Sequence, residues 1–260
     1  MLFTLKRGPN ILYLDSENAP NIAAVWGIHD QRISYKDIVH EWFLLSGQYS
    51  WNDSKKVNTV SILDDPKRFK KNFRDDYHVV KTLRDVISEA DIVVGHNVKG
   101  HDLKKIQAKI IEYKLPPLKM PLIVDTYTWS KTFGFTSRKL GDLCSKLDLT
   151  QKLSHAPGMF LLAAMGDADA IRKIVKYGIG DVPTVRELYY RLRPYAPAHP
   201  NMNLWRGNGV ECCPHCSSTE FKKDGNRYTT VGTFQSFKCL DSNCGKYFQS
   251  GKSTKRVKMR

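Results

Sequence analysis

The stretch Ile11-Leu12-Tyr13-Leu14-Asp15-Ser16-Glu17 constrains this chain more than any other. An apolar run rich in Ile, Leu and Tyr reads as a strand buried in a sheet. Residues two apart on a strand share a face, so Asp15 and Glu17 project together from the strand's end. Two carboxylates held side by side repel unless a cation neutralises them, and hard divalent ions prefer oxygen ligands. The plain alternative is a strand that ends in solvent with two hydrated acids.

The rest of the chain is read against that strand. Its 260 residues suffice for one large domain and an appendage, and a hydrophobic content of 41% is that of a packed protein. No apolar run approaches the roughly 20 residues of a membrane span, so no membrane association is expected. The opening Met1-Leu2-Phe3-Thr4-Leu5-Lys6-Arg7 lacks the apolar core of a secretory signal. The net charge of +15, from 41 basic and 26 acidic residues, favours a polyanionic partner, nucleic acid above all.

Ala23 to Ile28 and Glu41 to Leu45 read as further strands of an antiparallel meander, and residues 64–76 as a charged connector. Tyr77, Val80, Leu83 and Ile87 recur at helical spacing, as do Leu103, Ile106, Ile110 and Ile111. Ile92-Val93-Val94 and Leu122-Ile123-Val124-Asp125 read as strands, and residues 138–147 as a short helix. A helix pair is expected over Ala168 to Val175 and Val182 to Leu192, interrupted around Tyr177 to Gly180. Strands first in a meander and then alternating with helices give an α/β domain with a mixed sheet.

Two more acids stand near expected helix starts, Asp102 and Asp181, where a helix cap is the ordinary role of an Asp. Taken together with the first pair, the motifs YLDSENAP, GHNVKGHD and YGIGDVPTVRELYYRL resemble, in that order, the three motifs of the DEDD superfamily of 3′→5′ exonucleases. The resemblance covers roughly residues 10–195 and implies an RNase H-like fold. It carries Asp15, Glu17, Asp102 and Asp181 over as catalytic metal ligands, and Tyr177 as the residue that marks the tyrosine subtype. Two positions depart from the pattern. Ser16 stands where an apolar residue is usual, and His101 where an aromatic precedes the second-motif Asp.

The chemistry so implied is two-metal phosphodiester hydrolysis, with two Mg²⁺ or Mn²⁺ ions held by the four carboxylates and Asp15 shared between them. Tyr177 is expected to orient the attacking water or the scissile phosphate, since a phenol of pKa about 10 is a poor base at neutral pH. Asn97 either holds the terminal nucleotide or caps its own loop. Arg138 and Lys139 either touch the strand's phosphates or form a solvated helix face. His96 and His155 read as structural. The expected substrate is the 3′ end of single-stranded or frayed DNA; an RNA-directed enzyme and a non-catalytic nucleic-acid-binding protein are the alternatives. A polymerase or other replication or repair protein is a candidate partner, and a cytoplasmic setting in a bacterial or phage-infected cell is expected.

Five of the six cysteines lie between Cys212 and Cys244. Cys213 and Cys216, then Cys239 and Cys244, fit the two knuckles of a zinc ribbon holding one structural Zn²⁺. Cys212 and His215 remain possible substitutes within that set. Four thiolates leave no open coordination position, so the ion is structural rather than catalytic. From residue 201 to 260 there are 11 basic and 4 acidic residues, which suits a module that follows phosphates. The expected organisation is a nuclease domain over 1–195, a linker over 196–208, a β zinc ribbon over 209–251 and a basic tail over 252–260.

Overall fold

The computed structural model describes residues 8–27, 29–150, 156–206 and 211–258. Strand β1 (Ile11–Asn18) is followed by the short β2 (Ile22–Ala23) and β3 (Ile38–His40), then by β4 (Leu44–Trp51) and β5 (Asn58–Ser61). Helices α1 (Pro66–Lys71) and α2 (Tyr77–Glu89) lead to β6 (Ile92–Gly95) and α3 (Asp102–Glu112). After β7 (Leu122–Asp125) come α4 (Thr126–Ser130), α5 (Leu140–Lys146), α6 (Met159–Ala164) and α7 (Ala168–Leu192). The last part of the chain forms β8 (Phe221–Thr229), β9 (Gly232–Cys239) and β10 (Tyr247–Arg256).

The first five long strands make one mixed sheet in the order β5-β4-β1-β6-β7. β1 runs antiparallel to β4 and parallel to β6, and therefore sits at the centre. Its alternation divides the core. Leu12 and Leu14 join Val79, Leu83, Ile87, Leu103 and Ile106, contributed by α2 and α3. Ile11 and Tyr13 join Trp129, Val182, Val185 and Tyr189 on the other side, where α4 and α7 lie. A strand buried on both faces by helices is the reason this segment reads as a continuous apolar run. The α/β architecture, an RNase H-like mixed sheet flanked by helices with a small antiparallel sheet at the C-terminal end, agrees with the sequence.

Several local expectations are corrected. The second meander strand covers only Ile22–Ala23. Val25 and Trp26 beyond it stand in solvent, and Ile28 lies outside the described residues. Strand β4 starts at Leu44 and runs on through the polar Ser46, Gln48 and Ser50, which are fully buried. The expected connector over 64–76 contains α1, and β5 and α6 carry no periodic signal strong enough to announce them.

Helix α7 is one unbroken 25-residue helix rather than an interrupted pair. Gly178 stays helical because the helix presses there onto β4. A Cβ at Gly178 would meet the Gln48 side chain at 2.6 Å. Pro183 sits inside the helix and supplies no N–H to the preceding turn, while the Thr184 hydroxyl donates to the Gly180 carbonyl at 2.9 Å. Asp181 is consequently a mid-helix residue, not a helix opener. The expected basic tail is corrected as well. Residues 252–256 continue β10 against Thr233 and Gly232 of β9, so the ribbon's sheet runs past residue 251.

The linker expected over 196–208 acts as a strut. The Met202 amide donates to the Pro214 carbonyl at 2.8 Å, the Asn203 side chain to the Cys212 carbonyl at 2.9 Å, and the Lys246 ammonium to the Ala196 carbonyl at 2.6 Å. Among the described residues, no helix is long and apolar enough to cross a membrane.

Candidate active site and metal centres

Because β1 alternates, Asp15 and Glu17 leave the sheet on the face of Tyr13, toward α7, and Ser16 leaves on the face of Leu14, toward α3. Asp181 is buried on α7, four residues after Tyr177 and so on the same helical face. One carboxylate oxygen from each of Asp15, Glu17 and Asp181 lies within 4.8 Å of the others. Three anionic side chains gathered that closely, with Asp181 1% exposed, form an oxygen donor set suited to a hard divalent cation.

Asp102 opens α3 and enters from the opposite side of β1. Its Oδ1 accepts from the Ser16 amide at 3.0 Å and from the Ser16 hydroxyl at 2.7 Å. Burial raises its carboxyl to about 6, against the lowering effect of the Ser16 bonds, and nearby Asp125 pushes the same way as burial. The departure at Ser16 therefore has a structural counterpart. The hydroxyl in the first motif ties the second motif's acid in place.

Asp15, Ser16, Glu17, Asp102, Tyr177 and Asp181 all line one pocket of about 180 Å³, together with His96, Asn97, His101 and Phe160. The four expected carboxylates thus share a site, three clustered and Asp102 on the adjoining wall. Asn97 lines it too, with a left-handed backbone (φ 64°). Its loop is anchored by Asp125 at the end of β7. The Asp125 carboxylate accepts from the Asn97 amide at 2.9 Å and the Lys99 amide at 3.0 Å.

Arg138 and Lys139 do not reach the carboxylate pocket. They line the next hollow with Tyr127 and Leu140, sharing only His96 and Asn97 with the site. The Arg138 guanidinium lies 5.2 Å above the Tyr127 ring, and its backbone carbonyl bonds to His96 Nε2 at 2.9 Å. His96 also bonds Thr126 Oγ1 at 2.9 Å, which makes it a structural residue on the pocket's wall. His155 lies outside the described residues. Phe160 was not anticipated. It comes from α6, a short segment without periodic signal, and supplies an apolar ring to the pocket's wall.

The second cluster is in the ribbon. One sulfur from each of Cys213, Cys216, Cys239 and Cys244 lies within 4.8 Å of the others. The Cys213–Cys244 and Cys216–Cys239 sulfurs are 3.8 and 3.5 Å apart, too far for disulfides, which hold sulfurs at about 2.05 Å. Zn–S bonds of about 2.3 Å in a tetrahedron require an edge of roughly 3.8 Å, which this donor set matches. Cys212 is outside the cluster, donating its thiol to Asn203 Oδ1 at 2.7 Å. The His215 ring packs 5.7 Å from that of His199 instead. Arg193, buried just past α7, lies 5.0 Å over Tyr190. Burial disfavours its charge, but Tyr189 and the Cys244 and Cys216 sulfurs outweigh that effect.

A model of the RNase_H superfamily matches residues 43–193. That span includes Asp102, Tyr177 and Asp181 and begins after Asp15 and Glu17. Among solved structures, the chain is similar to the family B DNA polymerase from the hyperthermophilic archaeon Pyrobaculum calidifontis, with 15% identity and a TM-score of 0.53. The similarity covers 73% of this chain and 25% of that one, a quarter of the polymerase's length, and it is a likeness of fold. No curated protein sequence matches the chain significantly.

Proposed function

Because the chain belongs to the RNase_H superfamily, we propose that it is a metal-dependent 3′→5′ exonuclease acting on single-stranded or frayed DNA ends. The observation that carries this reading is the convergence of Asp15, Glu17 and Asp181 oxygens within 4.8 Å, in a pocket that Asp102 and Tyr177 also line. The alternative of a strand ending in hydrated acids does not account for a buried Asp181 drawn to the same point from another element. The net charge of +15 favours a nucleic acid, and the similarity to a DNA polymerase favours DNA among nucleic acids.

In this reading Asp15, Glu17 and Asp181, with Asp102 tethered by Ser16 on the adjoining wall, would be the residues that hold Mg²⁺ or Mn²⁺. When bound, such ions supply Lewis acidity, activating water and neutralising charge on the leaving oxygen. The chain's own residues do the rest. Tyr177 offers its hydroxyl as a neutral donor that orients the attacking water or the phosphate, a positioning task that a phenol can perform at neutral pH. Asn97, fixed on the Asp125-anchored loop, faces the terminal nucleotide. Phe160 gives its base or sugar an apolar wall. Cys213, Cys216, Cys239 and Cys244 hold one structural Zn²⁺. A polymerase or repair protein remains the proposed partner class.

The test is a 5′-labelled oligonucleotide incubated with Mg²⁺ or Mn²⁺. Single-nucleotide laddering from the 3′ end is expected, stronger on DNA than on RNA. Losing the charge of Asp15 or Asp181 forfeits several kcal/mol of transition-state stabilisation, so Asp15→Ala and Asp181→Ala should each fall about 1000-fold. Equal activity in wild type and both variants would refute the enzyme. Faster loss of the RNA strand would transfer the reading to an RNA-directed exonuclease.

A further inference from the structure

The ribbon's sheet breaks an electrostatic rule on one of its faces. β9 is central, with β8 and β10 on either side, both antiparallel to it. Phe221, Phe237 and Phe248 pack together on one face, with ring centroids 5.5 Å apart in each pair. The next residue on each strand points the other way. On that outer face Lys238 lies directly opposite Lys222 of β8 on one side and Tyr247 of β10 on the other. Lys246, the residue before Tyr247, reaches the strut at the Ala196 carbonyl. By alternation, the Lys222–Lys238–Tyr247 row lies on the opposite face of the sheet from that contact.

Like charges directly across adjacent strands oppose pairing, and neither neighbouring strand places an acid opposite Lys238. Lys222 and Tyr247 are exposed, and the Lys238 ammonium sits 5.5 Å from the Tyr247 ring centroid. A like-charge pair of this kind, eased inside the fold only by the Tyr247 ring beside Lys238, is a local departure from the pairing rule such as functional sites keep. We infer that the Lys222–Lys238–Tyr247 row is a docking surface for single-stranded nucleic acid, with the two ammonium groups on successive phosphates and Tyr247 stacked on a base. The charge is complementary to a polyanion. An exposed aromatic ring at one end of a row that continues through two cations matches the pairing of base stacking with backbone tracking that such strands require. The inference rests on the reading of the chain as acting on nucleic acid, and locates a second grip remote from the carboxylates.

The test uses the full zinc-loaded chain carrying Asp15→Asn, so that the strand is not degraded. Binding of a fluorescent single-stranded DNA is followed by anisotropy across a salt series. Each phosphate contact contributes about 0.7 to the salt slope of single-strand binding, so Lys222→Gln with Lys238→Gln should lower the slope by about 1.4. Tyr247→Ser should weaken binding about fivefold or more while leaving the slope unchanged. The lysine variants should keep their zinc and melt no lower than the parent, since repulsion has been removed. An unchanged Kd and slope in zinc-loaded variants would overturn the inference. Lys222→Gln alone, at an exposed position on the outer strand, keeps the test decisive if Lys238→Gln reduces zinc content. Loss of the nuclease reading would show separately, as equal laddering by the wild-type chain and Asp15→Asn.

Discussion

Around β1 the side chains of Leu12, Tyr13, Leu14, Val93 and Val94 are almost sealed from water. In the ribbon, Phe221, Phe237 and Phe248 are only half-buried, and the deepest residues are Cys213, Cys239 and Cys244. The nuclease domain is ordered by apolar area on both faces of a sheet, which a domain of its size can supply. The C-terminal sheet, too small for such a core, gathers four cysteine sulfurs at its deepest point, and the ion proposed there would supply the missing stability. The difference teaches that one chain carries two independent reasons to be folded, joined by the Ala196–Arg206 strut.

The largest way to break that comparison is to take the metal away. Structural zinc contributes about 10–16 kcal/mol in small zinc domains. Chelation or Cys216→Ser should therefore open β8 to β10 to protease while the nuclease domain keeps its thermal transition. A metal-stripped ribbon that stays protease-resistant would show that it has a core of its own. A smaller perturbation tests the other side. Gly178→Ala places a methyl group 2.6 Å from the buried Gln48 side chain, and overpacking of this kind costs about 1–3 kcal/mol. The urea midpoint of the nuclease domain should fall, with zinc content unchanged.

The smallest effect probes the junction. His199 donates from Nδ1 to the Pro200 carbonyl at 2.7 Å and accepts at Nε2 from the Tyr189 hydroxyl at 2.8 Å, an arrangement that requires the neutral ring. Burial lowers its pKa from 6.5 to about 4, with His215 and Arg193 adding to the effect. The unfolded chain thus binds a proton that the folded chain refuses, so stability is full above about pH 6.5 and declines as pH falls toward 4. Allowing for partial exposure, about 1–2 kcal/mol should be lost across that window. The decline should be shallower in His199→Gln, as denaturant titrations at several pH values would report.

How much was legible in the sequence follows the same division. Period-2 and period-3.6 apolar patterns located β1, β6, β7, α2 and α3, because those elements bury their apolar faces in a large core. The spacing of the cysteines announced the cluster of Cys213, Cys216, Cys239 and Cys244, because a metal-ligand pattern depends on residue type rather than on a pattern of burial. What escaped detection depends on tertiary packing. Ser46, Gln48 and Ser50 read as loop residues, yet they form the buried middle of β4 because α7 lies across them. Gly178 and Gly180 read as a break, yet contact with Gln48 keeps the helix whole. The motifs brought Asp15, Glu17, Asp102 and Asp181 into one pocket. That Asp102 stands slightly apart, on a hydroxyl from Ser16, follows from which face of β1 each residue leaves, and no spacing rule announces it.

The uninterrupted course of α7 has a mechanical consequence. Asp181 and Arg193 are twelve residues apart on one helical path, about 18 Å that includes Pro183. Asp181 lies in the carboxylate pocket, and Arg193 lies beside Cys216. One backbone therefore fixes the spacing between the carboxylate pocket and the cysteine cluster.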